Sequence, residues 1–168
     1  MSIFVLQVVT GKEKETVLLL EKLNEGGRII FPRRELIQKK KGRTYRKIQP
    51  LFPGYIFWER DVVDAALISR VKKVNNVIRF LPSSPEPKPL EEEEARILFL
   101  MLKGEGLTKL SSVVFDENNR IVVLEGPLKG MEGKIIKVDR RRKRIKVVLD
   151  LYKNGYQIDF GYRDVGKK

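Results

Sequence analysis

The chain opens on a short, dense apolar run at residues 3–9, rich in β-branched side chains, which predicts a buried strand. Thr10-Gly11-Lys12-Glu13 then has capping-box spacing, in which Thr10 accepts from the third helical N–H and Glu13 reaches back. Val17, Leu19, Leu20 and Leu23 recur at spacings of three and four, so a helix follows, stopped by Gly26-Gly27. Residues 28–50 read as two extended segments around Gly42, and a strand restarts at Tyr55 after the Pro53-Gly54 turn. Asp61 is positioned to cap a second helix with Ala65, Leu67, Ile68 and Val71 on its apolar face. A strand at 76–81 and a Pro-rich loop precede a third helix, opened by Leu90 and four glutamates and striped by Ile97, Leu98, Met101 and Leu102. Acidic residues complement the dipole of a first helical turn, so the glutamates read as a helix start.

This β-α-β-β-β-α-β-α order over residues 1–103 predicts an α+β fold, a sheet with helices packed on it. Residues 104–117 lose clear periodicity and read as a linker. From 118 onward "RIVVLEG", "GKIIKVD", "RIKVVLDL", "GYQIDF" and "YRDV" are short strands at roughly ten-residue spacing, which predicts a small β-barrel domain at 118–168.

Composition narrows the function. The 168 residues are 42% hydrophobic and include neither cysteine nor histidine. Disulfides, thiolate nucleophiles, Ser-His-Asp catalysis and the commonest metal ligands are therefore excluded, and we expect no enzyme, no metal and no cofactor. No apolar run approaches the ~18 residues of a membrane span, and the N-terminus lacks a basic leader, so a cytoplasmic protein without a membrane partner is expected. The net charge of +13 favours a polyanionic partner.

Three stretches stand out. "QPLFPGYIFWER" crowds Phe52, Tyr55, Phe57 and Trp58 around a Pro-Gly turn. In a strand Tyr55 and Phe57 share one face and Ile56 and Trp58 the other, so one pair can fill the core while the other lines a surface. "KKKGRTYRK" and "RRRKR" at 140–144 are basic clusters on two predicted hairpin turns, and read as rival nucleic-acid contacts. "EGPLKGMEGKIIKV" positions Gly126, Gly130 and Gly133 for a tight barrel hairpin and does not match a phosphate-cradling loop.

"RIVVLEGPLKGMEGKIIKVDRRRKRIKV" resembles a KOW motif, and "LFPGYIFWE" resembles the signature segment of the NusG N-terminal (NGN) domain. The order NGN domain, linker, KOW barrel matches the NusG family across nearly the whole chain. The resemblance implies an NGN α/β sandwich followed by an SH3-like barrel. It also implies docking on the clamp-helix coiled coil of the RNA polymerase β′ subunit, with Phe52, Tyr55 and Phe57 at the family's aromatic positions. "GPLKGMEG", "FPRREL" and the basic hairpin are similar to the LoaP subgroup of processive antiterminators. That likeness implies a leader RNA hairpin as a partner, with Arg33, Arg34, Lys39, Lys41, Arg43 and Arg46 as first candidates. Lys72 and Lys73 come next, since in RfaH-like members that region faces single-stranded, non-template DNA. The chain departs from housekeeping NusG at Ile3-Phe4, where Trp-Tyr is usual, and at Leu128 and Met131, where Phe is usual. The expectation is a monomeric elongation and antitermination factor. The alternatives are a housekeeping NusG acting on pausing, Rho termination and translation coupling, and a ribosome-associated KOW protein.

Overall fold

The computed structural model describes residues 2–102 and 106–166. Two compact units emerge: Met1–Pro32 with Phe52–Ala95, and Arg33–Leu51 with Arg96–Lys168. The fold is mixed α+β, as the sequence predicts. The first unit is discontinuous in sequence, because residues 33–51 belong with the second. The expected boundary at 103–104 lies outside the described residues.

The first unit is built on strands β1 (Ser2–Val8), β2 (Arg28–Ile30), β5 (Tyr55–Arg60) and β6 (Val77–Phe80). Their order is β2-β5-β1-β6, with every neighbour antiparallel. Helices α1 (Glu13–Lys22) and α2 (Ala65–Lys72) bring Leu20, Leu67 and Val71 into one cluster with Phe4, Leu6, Val8, Ile56, Trp58 and Phe80. Burying a side chain of this size contributes roughly 1.5–3 kcal/mol. Helix α3 (Glu92–Leu102) starts in this unit and from Arg96 is counted with the second, with Leu98 and Met101 of its predicted stripe buried; the side chain of Leu102 lies outside the description. The Glu94 carboxylate accepts from the Glu91 N–H at 3.1 Å, in keeping with the helix-start reading.

Two caps differ from expectation. Thr10 makes no cap on α1, where Lys12 holds the N-cap position without a side-chain bond. Glu13 does reach back, but to the Gly11 N–H at 2.8 Å and not to that of Thr10. Helix α2 is capped by Asp64, which accepts from the Leu67 N–H at 2.8 Å, and not by Asp61, which lies outside its first turn.

In the second unit, β3 (Arg33–Lys40) and β4 (Arg43–Pro50) form a hairpin closed by Lys41 and Gly42, both at positive φ, as a two-residue primed turn requires. Strand β7 (Leu107–Thr108) pairs parallel to β3. Five strands make a second sheet in the order β10-β11-β12-β8-β9. They are β8 (Ser111–Phe115), β9 (Ile121–Glu125), β10 (Ile135–Asp139), β11 (Arg144–Leu151) and β12 (Asn154–Asp164). Ile145, Val147, Leu149 and Leu151 are buried at every second position of β11.

The predicted strand count is right but its membership is not. "GYQIDF" and "YRDV" are one strand, β12, continuous through Gly161. The fifth strand is β8, drawn from the stretch read as linker, and it pairs antiparallel with β9 around a turn held by Asp116. A Cβ at Gly161 would lie 2.7 Å from the Glu35 carbonyl oxygen and 3.2 Å from Leu36 Cα. Glycine there lets β12 run against the basic hairpin, which is why that hairpin joins this unit.

Candidate functional site

The aromatic segment occupies the start of β5. Register pairs Val5 with Phe57 and Gln7 with Tyr55. Alternation then sends Tyr55 and Phe57 to one face of the sheet and Ile56 and Trp58 to the other, with Ile56 and Trp58 in the helix-covered core. Phe57, expected with Tyr55 to line a surface, is instead buried, and so is Phe52. Phe57 is 0% and Phe52 2% exposed, with ring centroids 5.6 Å apart. Phe57 sits in mid-sheet between Val5 and Ile30, where a ring cannot reach a rim. Tyr55, at the strand's end, is half-buried.

The turn before Tyr55 is pinned. The second carboxylate oxygen of buried Glu13 accepts from the Gly54 N–H at 2.9 Å. Gly54 has φ +86°, and a Cβ there would lie 3.0 Å from Thr10 Oγ1. One carboxylate thus joins the entry of α1 to the aromatic turn.

The predicted cations divide into three groups. Lys39, Lys41, Arg43 and Arg46 are exposed on the β3–β4 hairpin, with Arg46 lying 3.8 Å from Glu35. Arg33 and Arg34 lie six and five residues before Lys39, about 20 Å and 17 Å along the strand. Their Nε atoms are buried and lack a partner among the described residues. Arg34 Nη1 donates to the Asp159 carbonyl. Burial pushes its guanidinium below its ordinary pKa, with Asp159 opposing and Arg144 adding to that shift. These two arginines therefore do not share the open surface of the other four. Lys72 and Lys73 are exposed at the end of α2 in the first unit. Beside them Arg70 is committed to Glu25, with Nε 2.7 Å from Oε2.

The glycine turn is not a hairpin. Strands β9 and β10 are the two edges of their sheet, so residues 126–134 cross from edge to edge. Gly126 and Gly130 have positive φ, whereas Gly133 does not and has open space where its Cβ would be. Leu128 is fully buried, and its N–H donates to Ser111 Oγ at 3.1 Å.

The residues that sequence reasoning set apart are those at 141–144. Read as a rival to the hairpin, they lie beside Ile37, Gln38 and Lys39 in the structure. Nothing local signals this, because more than a hundred residues separate the two runs. Among the described residues no cluster of carboxylates is arranged to hold a metal, and no helix is long and apolar enough to cross a membrane.

A family model described as "Transcription termination factor nusG" matches residues 1–99. "Transcription termination/antitermination protein NusG" of Borreliella burgdorferi is 28% identical over 181 residues, covering 98% of this chain and 97% of the relative. The protein of the same name from Buchnera aphidicola is 25% identical over 173 residues, covering 98% and 94%. A solved structure described as "Domain interaction in Thermotoga maritima NusG" is similar in fold, with a TM-score of 0.60 and 21% identity over 95% of this chain and 93% of that one.

Proposed function

The chain belongs to the NusG family, and from that premise we propose that it is a specialised elongation factor of LoaP type. It rides on RNA polymerase through the clamp helices of β′ and recognises a leader RNA hairpin to promote processive antitermination. Tyr55 is the contact that the first unit offers to the coiled coil, while Phe52 and Phe57 support the strand beneath it. The helix-covered sheet of the first unit acts as the core of the NGN domain, and the five strands from Ser111 to Asp164 act as the KOW barrel. Lys39, Lys41, Arg43 and Arg46 contact RNA, and Lys72 and Lys73 face non-template DNA.

The observation that carries this reading is the pairing of a pinned aromatic turn with an exposed cationic hairpin on one chain. A half-buried Tyr offers an apolar ring and a polar tip, which suits a protein interface. A protruding cationic hairpin suits phosphates. No bond is made or broken in this mechanism. The factor shifts polymerase away from paused and terminating states by binding the elongating state more tightly.

A second reading, a housekeeping role on most operons, is favoured by relatives named for both termination and antitermination that align with 98% of the chain. Transcription by purified polymerase through an intrinsic terminator, with and without a structured leader, separates the two. LoaP-type action gives readthrough only when the leader is present. Leader-independent changes in pausing or termination support the housekeeping role, and an unchanged polymerase contradicts both.

A further inference from the structure

Within the second unit, a groove of about 530 Å³ runs between Ile37, Gln38 and Lys39 of β3 and residues 141–144 at the turn into β11. Five of its seven lining residues are cations: Lys39, Arg141, Arg142, Lys143 and Arg144. Among the described residues no carboxylate lines it. The neighbouring small pocket behaves differently, since there Lys137, Arg142, Arg144 and Lys146 face Asp139 and Asp159. Arg142 and Arg144 belong to both sites, so in the larger groove it is Lys39, Arg141 and Lys143 that meet no lining carboxylate among the described residues.

The walls are built and not incidental. Arg144 Nη1 donates across the groove to the Ile37 carbonyl at 2.8 Å. The turn is held by the Asp139 carboxylate, which accepts from the Arg142 N–H at 3.0 Å. Burial first and then the charge of Arg142 lower the pKa of Arg144, with Asp159 and Asp139 opposing that shift. A fold that holds like charges this close gains from an anion seated among them.

We propose that this groove grips the sugar–phosphate backbone of RNA, independently of base sequence. This rests on the RNA-binding reading above and adds the barrel turn, through Arg141 and Arg142, to the contact surface. Repeated cations without a carboxylate fit repeated phosphates. Among the described residues no aromatic side chain lines the groove, so bases find no stacking platform there. Recognition of a particular hairpin therefore lies elsewhere, on the exposed strand β4 or the hairpin tip, and the groove supplies affinity and salt dependence.

The test uses the full chain and two labelled RNA stem-loops of equal length and unrelated loop sequence, titrated by fluorescence anisotropy over a range of KCl. The variant is Lys39→Gln with Arg141→Gln, both exposed positions whose replacement leaves the wall contacts in place. Lys72→Gln with Lys73→Gln is the comparison. The proposal expects the groove variant to bind both RNAs more weakly by a similar factor, on the order of tenfold at 0.15 M salt. The slope of log K against log[KCl] falls by about 0.7–0.9 per lost phosphate contact. A wild-type slope in the groove variant, with RNA still bound, overturns the groove and leaves the RNA-binding reading standing. So does loss of polymerase binding with RNA binding unchanged, which would assign the groove to a protein. A loss confined to one stem-loop contradicts backbone recognition. Failure of the wild-type chain to bind either RNA overturns both this inference and the reading on which it rests.

Discussion

Arg144 of β11 donates a hydrogen bond to the carbonyl of Ile37 on β3, 107 residues away in sequence. With Arg34 donating to the Asp159 carbonyl in the opposite direction, it ties the basic hairpin to the barrel from both sides. Removing a charged hydrogen-bond donor of this kind costs about 1.5–3 kcal/mol. Arg34→Ala and Arg144→Ala should each lower the denaturant midpoint with an unchanged m-value, and amide exchange in β3 should speed up. The Arg34 change should leave the salt slope of RNA binding as it is.

The Glu13 carboxylate serves two main-chain N–H groups, at Gly11 and Gly54. Glu13→Ala should destabilise by about 1–3 kcal/mol, because it leaves the buried Gly54 donor without its acceptor. Glu13→Gln retains one acceptor and should lie between the variant and wild type. Denaturant unfolding of the three proteins checks the order.

Phe57 and Tyr55 share a sheet face but differ in depth. Phe57→Ala removes a fully buried ring and should cost about 3–5 kcal/mol of stability. Tyr55→Ala, at a half-buried strand end, should lower stability less and polymerase binding more. Thermal melts and polymerase pull-down of both variants decide whether the two effects separate in this way.

Tyr162 is buried, and its hydroxyl has no hydrogen-bond partner among the described residues. Burial raises its pKa above the ordinary 10.0, Asp164 and Asp139 adding to the shift and Arg140 opposing it. The folded state then holds this proton more tightly than the unfolded state. Its contribution is fully present below about pH 10 and is lost as pH rises through the folded value. Tyr162→Phe should match or exceed wild-type stability at pH 7, and should lose less stability between pH 9 and 11. Denaturant midpoints across that range check it.

The secondary structure of the first unit was largely legible in the sequence, because its signals are local. The apolar spacing of Leu20, Leu67 and Val71 marks helix faces, and alternation across Tyr55–Trp58 assigned the two sheet faces correctly. Depth was not legible, since burial of Phe57 depends on its register with Val5 and Ile30. Asp61 is not the cap of α2 because the helix starts later, at Ala65, which makes Asp64 its N-cap. Strand β8 was missed because "SSVVF" is short and follows an irregular stretch, and its pairing with β12 and β9 is fixed by tertiary contact. Gly161 read as a break between strands. Its actual role, close approach of Glu35 and Leu36, concerns residues 126 and 125 positions earlier and has no local signature. For the same reason Lys39 and Arg141 read as rivals and not as two sides of one groove.

The most direct test of the account is binding of the full chain to a purified β′ clamp-helix coiled coil, followed by calorimetry or anisotropy. The account predicts saturable one-to-one binding that Tyr55→Ala weakens at least tenfold while its circular dichroism and melting remain those of a folded protein. Absence of binding by the wild-type chain, or wild-type affinity in a folded Tyr55→Ala variant, contradicts it.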